Sequence, residues 1–190
     1  MVTIFQSCKK EDDRSISPNE DYSFFLHSKE YSFRGTMPDS AVLWKYGVYD
    51  FQRGAGSVMV GSGERPQKSL SFDLVSNRDL STRIRITTPA YDVLSGELFS
   101  NTVAEGQKEI GTTYDKFELA LTVGKKLYTT NGDQANSLLK VLKMEKSKDE
   151  FDRDVVLVWF KVNCTFYSTV DTSSFTLKDG YFLAGFMYNL

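Results

Sequence analysis

One histidine, His27, limits the chemistry open to this chain. A Ser–His–Asp or Cys–His nucleophilic site would need it as the base. It stands between Leu26 and Ser28 with no nucleophile motif beside it, and a lone histidine without a signature is ordinarily non-catalytic. The thiols are Cys8 and Cys164. Cys164 shares its alternation with Val156, Val158, Phe160, Val162 and Phe166, which predicts a buried, unactivated thiol within a strand. Cys8 lies in a segment with few apolar residues to hold it against a core. A Cys8–Cys164 disulfide is therefore not expected, common as such bonds are in exported proteins.

Metal and phosphate signals are weak. Asp149, Glu150, Asp152 and Asp154 crowd one loop, and oxygen-rich loops can bind calcium. Their spacing is not that of an EF-hand, and Lys146, Lys148 and Arg153 are interspersed, so a solvated hairpin tip is expected. Gly54-Ala55-Gly56 leads into Ser57-Val58-Met59-Val60, which reads as a strand and lacks the helix N-terminus that holds phosphate. No HExxH, CxxC or phosphate-binding glycine loop occurs. No motif announces the paired carboxylates of a glycan hydrolase. These observations favour a non-enzymatic protein with no cofactor and no metal.

The aromatic residues offer binding chemistry instead. Trp44, Tyr46, Tyr49, Phe51, Trp159 and Tyr181 would stack on sugar rings if they were exposed on a sheet, and would fill the core otherwise. Tyr49 and Phe51 fall on the opposite face from Trp44 and Tyr46. Either that strand is covered on both sides or Tyr49 and Phe51 form an exposed ligand patch. The covered outcome is favoured, because monomers seldom expose large apolar patches.

Strands must position these residues. Apolar and polar residues alternate with period two along Tyr31–Thr36, Trp44–Tyr49, Ser69–Leu74, Arg83–Thr87 and Phe117–Val123. One apolar and one polar face per strand is the pattern of antiparallel sheets. Glycine-bearing turn signals stand at Gly54-Ala55-Gly56, Gly61-Ser62-Gly63, Asn131-Gly132-Asp133 and Lys178-Asp179-Gly180. Pro89 breaks the chain after Arg83–Thr87, and Tyr91–Phe99 fits no single element. The longest run, Val155–Tyr167, is apolar on both faces in its first half and alternates in its second. That predicts a central strand that begins covered and ends with one open side. Ala135, Leu138, Leu139 and Leu142 have helical spacing, so periodicity over 135–144 slightly favours a helix.

The chain has 190 residues, of which 41% are hydrophobic and 14% aromatic, enough for one domain with a substantial core. Net charge is −2, which supplies no basic field for nucleic acid. No apolar run approaches the ~20 residues of a membrane-spanning helix.

The N-terminus suggests another membrane attachment. Met1–Ser7 is an apolar stub ending in a small residue. Cys8 follows, and then the charge run Lys9-Lys10-Glu11-Asp12-Asp13-Arg14. This arrangement resembles the end of a lipoprotein signal peptide, with Cys8 the lipidated residue. A complete signal peptide also needs a basic segment and about 7–15 apolar residues, so this start is expected to be internal to a longer reading frame. The expected organisation is 1–7 as residual signal peptide, 8–21 as a polar lipid-anchored tether and 22–190 as one domain.

A family resemblance rests on these and further residues. Cys8-Lys9-Lys10-Glu11-Asp12-Asp13 resembles the opening of Bacteroidetes-type lipoproteins, in which early acidic residues resemble an export signal to the outer face of the outer membrane. Asn163-Cys164-Thr165-Phe166-Tyr167, Phe175-Thr176-Leu177 and Asp179-Gly180-Tyr181-Phe182 resemble the end of small uncharacterised members of that group, with a hairpin and a closing strand. Leu127-Tyr128-Thr129-Thr130, Gln134 and Ser137–Leu142 resemble a matching stretch that ends in a strand. The resemblance implies an antiparallel β-sandwich, a strand over 135–144 and no activity. With the alternation, it predicts roughly ten strands in a sandwich, with a closed antiparallel barrel around a cavity as the alternative. It implies an outer-membrane lipoprotein, surface-exposed or on the periplasmic side. Its partners would be the membrane through Cys8 and an unidentified glycan or protein ligand, the glycan in the case of an accessory protein for glycan uptake. Asp39-Ser40-Ala41 resembles the O-glycosylation acceptor of the same group, with Ser40 as the modified residue. Asn163-Cys164-Thr165 fits the N-glycosylation pattern but is discounted because it lies within a strand.

Overall fold

The computed structural model describes residues 25–29, 31–36, 56–60, 67–75, 81–92, 99–149 and 151–187. Cys8, Ser40, Trp44, Tyr46, Tyr49 and Phe51 lie outside them, as does the tether. The described chain is all-β. Its strands are β1 (Ser32–Thr36), β2 (Gly56–Val60), β3 (Gln67–Val75), β4 (Arg83–Thr87), β5 (Tyr91–Asp92), β6 (Gly106–Lys108), β7 (Glu118–Val123), β8 (Lys126–Thr129), β9 (Leu138–Lys148), β10 (Asp154–Ser168) and β11 (Ser174–Met187). A one-turn helix, Phe99–Thr102, follows β5, and residues 25–27 are helical.

The strands pair antiparallel in the order β1-β11-β10-β8-β7-β4-β3-β2. β9 adds to β10, β6 to β9 and β5 to β3. The sheet curls into an open half-barrel. Curling lets one face close on itself. Leu70, Phe72 and Leu74 of β3, Ile84 and Ile86 of β4, and Leu119 and Leu121 of β7 are buried together with Phe160, Phe182 and Phe186 of β10 and β11. Phe72 meets the rings of Phe182 and Phe186, each at 6.2 Å between centroids, although β3 and β11 are not hydrogen-bonded neighbours.

The two-faced half of β10 is covered as its composition requires. Val156, Val158, Phe160, Val162, Cys164 and Phe166 face the main core. Val155, Leu157 and Trp159 face the other way, into a second cluster with Phe25, Tyr181 and Leu183. The N-terminal helical segment supplies the cover for that cluster. Beyond it, Asn163, Thr165 and Tyr167 are only half-buried, so the strand does end with one open side.

Two bulges explain where the periodicity misleads. β9 begins at Leu138 after a turn at 135–136, so this stretch is a strand. Its register on β10 runs Trp159↔Lys143 and then Phe160↔Val141, which leaves Leu142 as the extra residue. The bulge switches the phase: Val141 and Met144 face the main core, while Leu142 packs into the second cluster. The shifted strand mimics helical spacing.

The second bulge corrects a turn expectation. Lys178-Asp179-Gly180 does not end a strand; β11 runs through it without a break. Between Val162↔Gly180 and Cys164↔Leu177 the register slips by one residue. Asp179 takes φ 49°, and its N–H donates to Asn163 Oδ1 at 2.8 Å. A Cβ on Gly180 would lie 2.5 Å from the Val162 carbonyl oxygen, so glycine is needed for the close approach. The signals of a turn and of a bulge coincide here because both need a positive φ beside a glycine. The hairpin itself lies at 169–173, closed by Ser168 N–H donating to the Ser173 carbonyl at 2.9 Å.

Candidate functional site

β10 is paired with β11 from Val155 to Tyr167. Its other edge is divided. Residues 154–163 pair with β9, and Tyr167 and Ser168 pair with β8. Between them the chain connecting β8 to β9 supplies a side chain in place of a strand. Gln134 Nε2 donates to the Thr165 carbonyl at 2.7 Å, and Thr165 N–H donates to Gln134 Oε1 at 3.2 Å. A carboxamide presents the donor and acceptor of a peptide group, so it continues the ladder across the gap. Ser137 Oγ donates to the same Oε1, and Tyr167 Oη donates to the Asp133 carbonyl at 2.8 Å. Gly132 lies against the Tyr167 ring, where a Cβ would collide with it.

Opposite this loop stands β6 and its continuation. Lys108 pairs with Leu139 of β9. The chain then returns on itself. Ile110 bridges Phe117 in parallel, with Phe117 N–H donating to the Glu109 carbonyl at 3.0 Å and Gly111 N–H to the Phe117 carbonyl at 2.9 Å. The two walls enclose an open, polar groove of about 450 Å³. Lys108, Thr112, Thr113 and Lys116 line one side, and Asp133, Gln134 and Ser137 the other. Lys116 Nζ pairs with Glu109 Oε2 at 3.2 Å. Burial lowers the pKa of Lys108. Tyr114, 63% exposed, stands on the loop between Thr113 and Lys116.

The remaining candidates are structural. Cys164 is 1% exposed in the main core, and burial pushes its thiol pKa up to about 12. The segment bearing His27 packs on the other face of β10, so the histidine and this thiol are not brought together. Trp159 and Tyr181 are buried and form no surface platform. The oxygens of Asp149 are occupied. Oδ1 accepts from Phe151 N–H at 2.8 Å and Arg153 N–H at 3.0 Å, and Oδ2 accepts from Arg153 Nε at 2.8 Å. This loop is a hydrogen-bonded hairpin tip. No group of His, Cys, Asp or Glu that could hold a metal occurs among the described residues.

Sequence reasoning missed the groove and one ion pair. On the outer face of β3 and β4, Asp73 is 4% exposed and is gripped by Arg85 through Nε–Oδ1 at 2.9 Å and Nη2–Oδ2 at 3.0 Å. The hydrogen bond to Asp73 raises the Arg85 pKa against the opposing effect of burial. Asp73 and Arg85 occupied polar positions in their alternations, and only the β3–β4 register reveals them as cross-strand neighbours. For the groove, the one available signal was Gln134 beside Asn131-Gly132-Asp133, which reads as loop composition until its partner strand is known. Comparison with known protein families, curated proteins and solved structures yields no match.

Proposed function

We propose that this chain is a non-enzymatic cell-envelope lipoprotein, anchored through Cys8, whose β-domain serves as a binding or structural module. The observation that carries the reading is the order Ser7-Cys8 followed by Lys9-Lys10-Glu11-Asp12-Asp13 and a polar stretch to Asp21. A small residue before a cysteine and a charged tether after it suit a lipidated N-terminus on a folded domain. In this reading the outer membrane holds the protein, with the domain at the surface or on the periplasmic side. The domain is a β-sandwich variant, supported by the packing of β3 on β11 across the core. Lipidation is tested by metabolic labelling with a fatty-acid probe. The precursor should be labelled and its Cys8→Ser variant should not; equal labelling of both removes the anchor.

The second reading is a carbohydrate-binding accessory protein of a glycan-uptake system, with Tyr49 and Phe51 as a candidate patch. The polar groove with Tyr114 exposed on its wall loop favours it. Ser40 is the proposed glycosylated residue, tested by the mass of the exported protein against its Ser40→Ala variant.

A further inference from the structure

We propose that the groove beside β6 binds the carboxylate of a small polyhydroxylated acid, with Lys108 as the counter-charge. This rests on the reading of the domain as a binding module and adds its site and ligand class.

The first observation is where the register puts Lys108. Residues directly opposite in an antiparallel pair share a face. Lys108 opposes Leu139, and Gly106 opposes Val141. Leu139 and Val141 are 0% and 1% exposed in the main core. Lys108 therefore stands on the apolar face of its strand, at the margin of the core. A lysine is tolerated there when its methylene stem covers apolar surface and its ammonium reaches a polar opening. The groove is that opening.

The second observation is that this ammonium makes no ion pair or side-chain hydrogen bond among the described residues, and burial is the sole influence on its pKa. Several other lysines are paired. Lys29 and Lys143 pair with Glu145, Lys116 with Glu109 and Lys126 with Asp171. A partly desolvated cation without a partner attracts an anion more strongly than a fully hydrated one does.

The third observation concerns the hydroxyls. Thr112 Oγ1 donates to Asn131 Oδ1 at 3.3 Å, Ser137 Oγ donates to Gln134 Oε1, and the Thr113 hydroxyl bonds the Asp115 carboxylate and lowers its pKa. Each hydroxyl has one proton, already committed, and keeps lone pairs that can accept. Lys116 and Glu109 neutralise each other, and Asp133 adds a carboxylate that already accepts from Ala135 N–H. Lys108 is the cation left without a partner among the described residues, so the groove offers hydroxyl and carboxylate acceptors and one unpaired ammonium. Its complement carries several hydroxyl donors and one negative charge, which describes a sugar acid. A phosphate or sulfate would want several donors converging on it, whereas the hydroxyls of Thr112 and Ser137 have their protons turned to Asn131 and Gln134.

The experiment is an amide NMR titration of the purified protein with D-glucuronate, D-glucose and inorganic sulfate at matched ionic strength. Glucuronate should shift the amides of Lys108, Thr112 and Gln134 and bind about tenfold or more tightly than either control, the usual effect of a charge-assisted contact. Lys108→Gln should abolish that preference, and Lys108→Arg should retain it. Both variants should melt as the wild type does. Glucose binding as well as glucuronate, sulfate binding as well as glucuronate, or an unchanged preference in Lys108→Gln would each overturn the proposal. No saturable shifts with any of the three would also overturn it. Fatty-acid labelling at Cys8 is independent of the groove, so a silent groove on a labelled protein refutes the ligand and leaves the anchor standing.

Discussion

The Gln134 side chain hydrogen-bonds both backbone polar groups of Thr165, at 2.7 Å and 3.2 Å, where no strand pairs with that edge of β10. It joins the branch through β9 to the branch through β8 and holds the loop that walls the groove.

Gln134→Glu is nearly isosteric and tests this bracket. A carboxylate cannot donate to the Thr165 carbonyl and places negative charge against it. Leaving such a group unsatisfied should cost about 1–3 kcal/mol, read from urea unfolding midpoints at constant slope. Protonating the new carboxyl in mild acid should recover part of the loss, because the acid form can donate. An unchanged midpoint would show that the bracket contributes nothing.

Much of the fold was legible because the alternation of β3, β4, β7 and β10 is set by burial on one face, and burial dominates residue choice. The covered first half of β10 and the inert Cys164 were readable for the same reason. Bulges were not readable. Leu142 and Asp179 each add one residue to a ladder, and the consequence depends on the partner strand. The site was less legible still. Gln134, Thr165 and Lys108 come together through pairings of β6, β9 and β10, and none of them departs from ordinary loop or strand composition.

Cys164 lies among Val162, Phe166 and Leu177, all 0% exposed. Its pKa of about 12 means that the neutral thiol persists at any ordinary pH. An aromatic disulfide reagent at about pH 8 should leave it unreacted in the native protein and modify it at once in denaturant. Cys164→Ser should cost on the order of 1–3 kcal/mol, since the hydroxyl enters an apolar site. Rapid labelling of native Cys164 would contradict the burial.

Two glutamates give opposite pH signatures. Burial raises the pKa of Glu118, with Arg85 opposing it. Hydrogen bonds from Lys143 and Lys29 lower Glu145 to about 2. A raised folded pKa means that stability is fully present below the unfolded value, ~4.3, and declines as pH rises through the folded one. A lowered pKa means that stability is present above ~4.3 and declines as pH falls toward the folded value. Glu118→Gln should therefore raise the melting temperature at about pH 7 and leave it unchanged at about pH 3. Glu145→Gln should lower it at about pH 7, modestly because the pair is partly exposed and screened, with the difference shrinking toward about pH 2. Effects of the same sign at neutral pH would refute the assignment.

The N-terminal segment is held at three points. Trp159, 0% exposed, donates from Nε1 to the Phe25 carbonyl at 3.0 Å. The Phe25 ring meets Tyr181 edge-on at 5.3 Å, and Lys29 pairs with Glu145 at 2.6 Å. The segment is thus fastened to β9, β10 and β11 and closes the second cluster. Phe25→Ala removes the ring that fills this cluster and should cost about 3 kcal/mol, at the lower end for buried phenylalanine because the segment can partly resettle. The indole N–H of Trp159, assigned by its loss in Trp159→Phe, should then exchange with solvent at least about tenfold faster, while amides of β7 in the main core keep their protection. That contrast separates local opening from global loss of stability. If the β7 amides accelerate in proportion, the second cluster is part of one cooperative core. If neither changes, the Phe25 ring does not secure the segment.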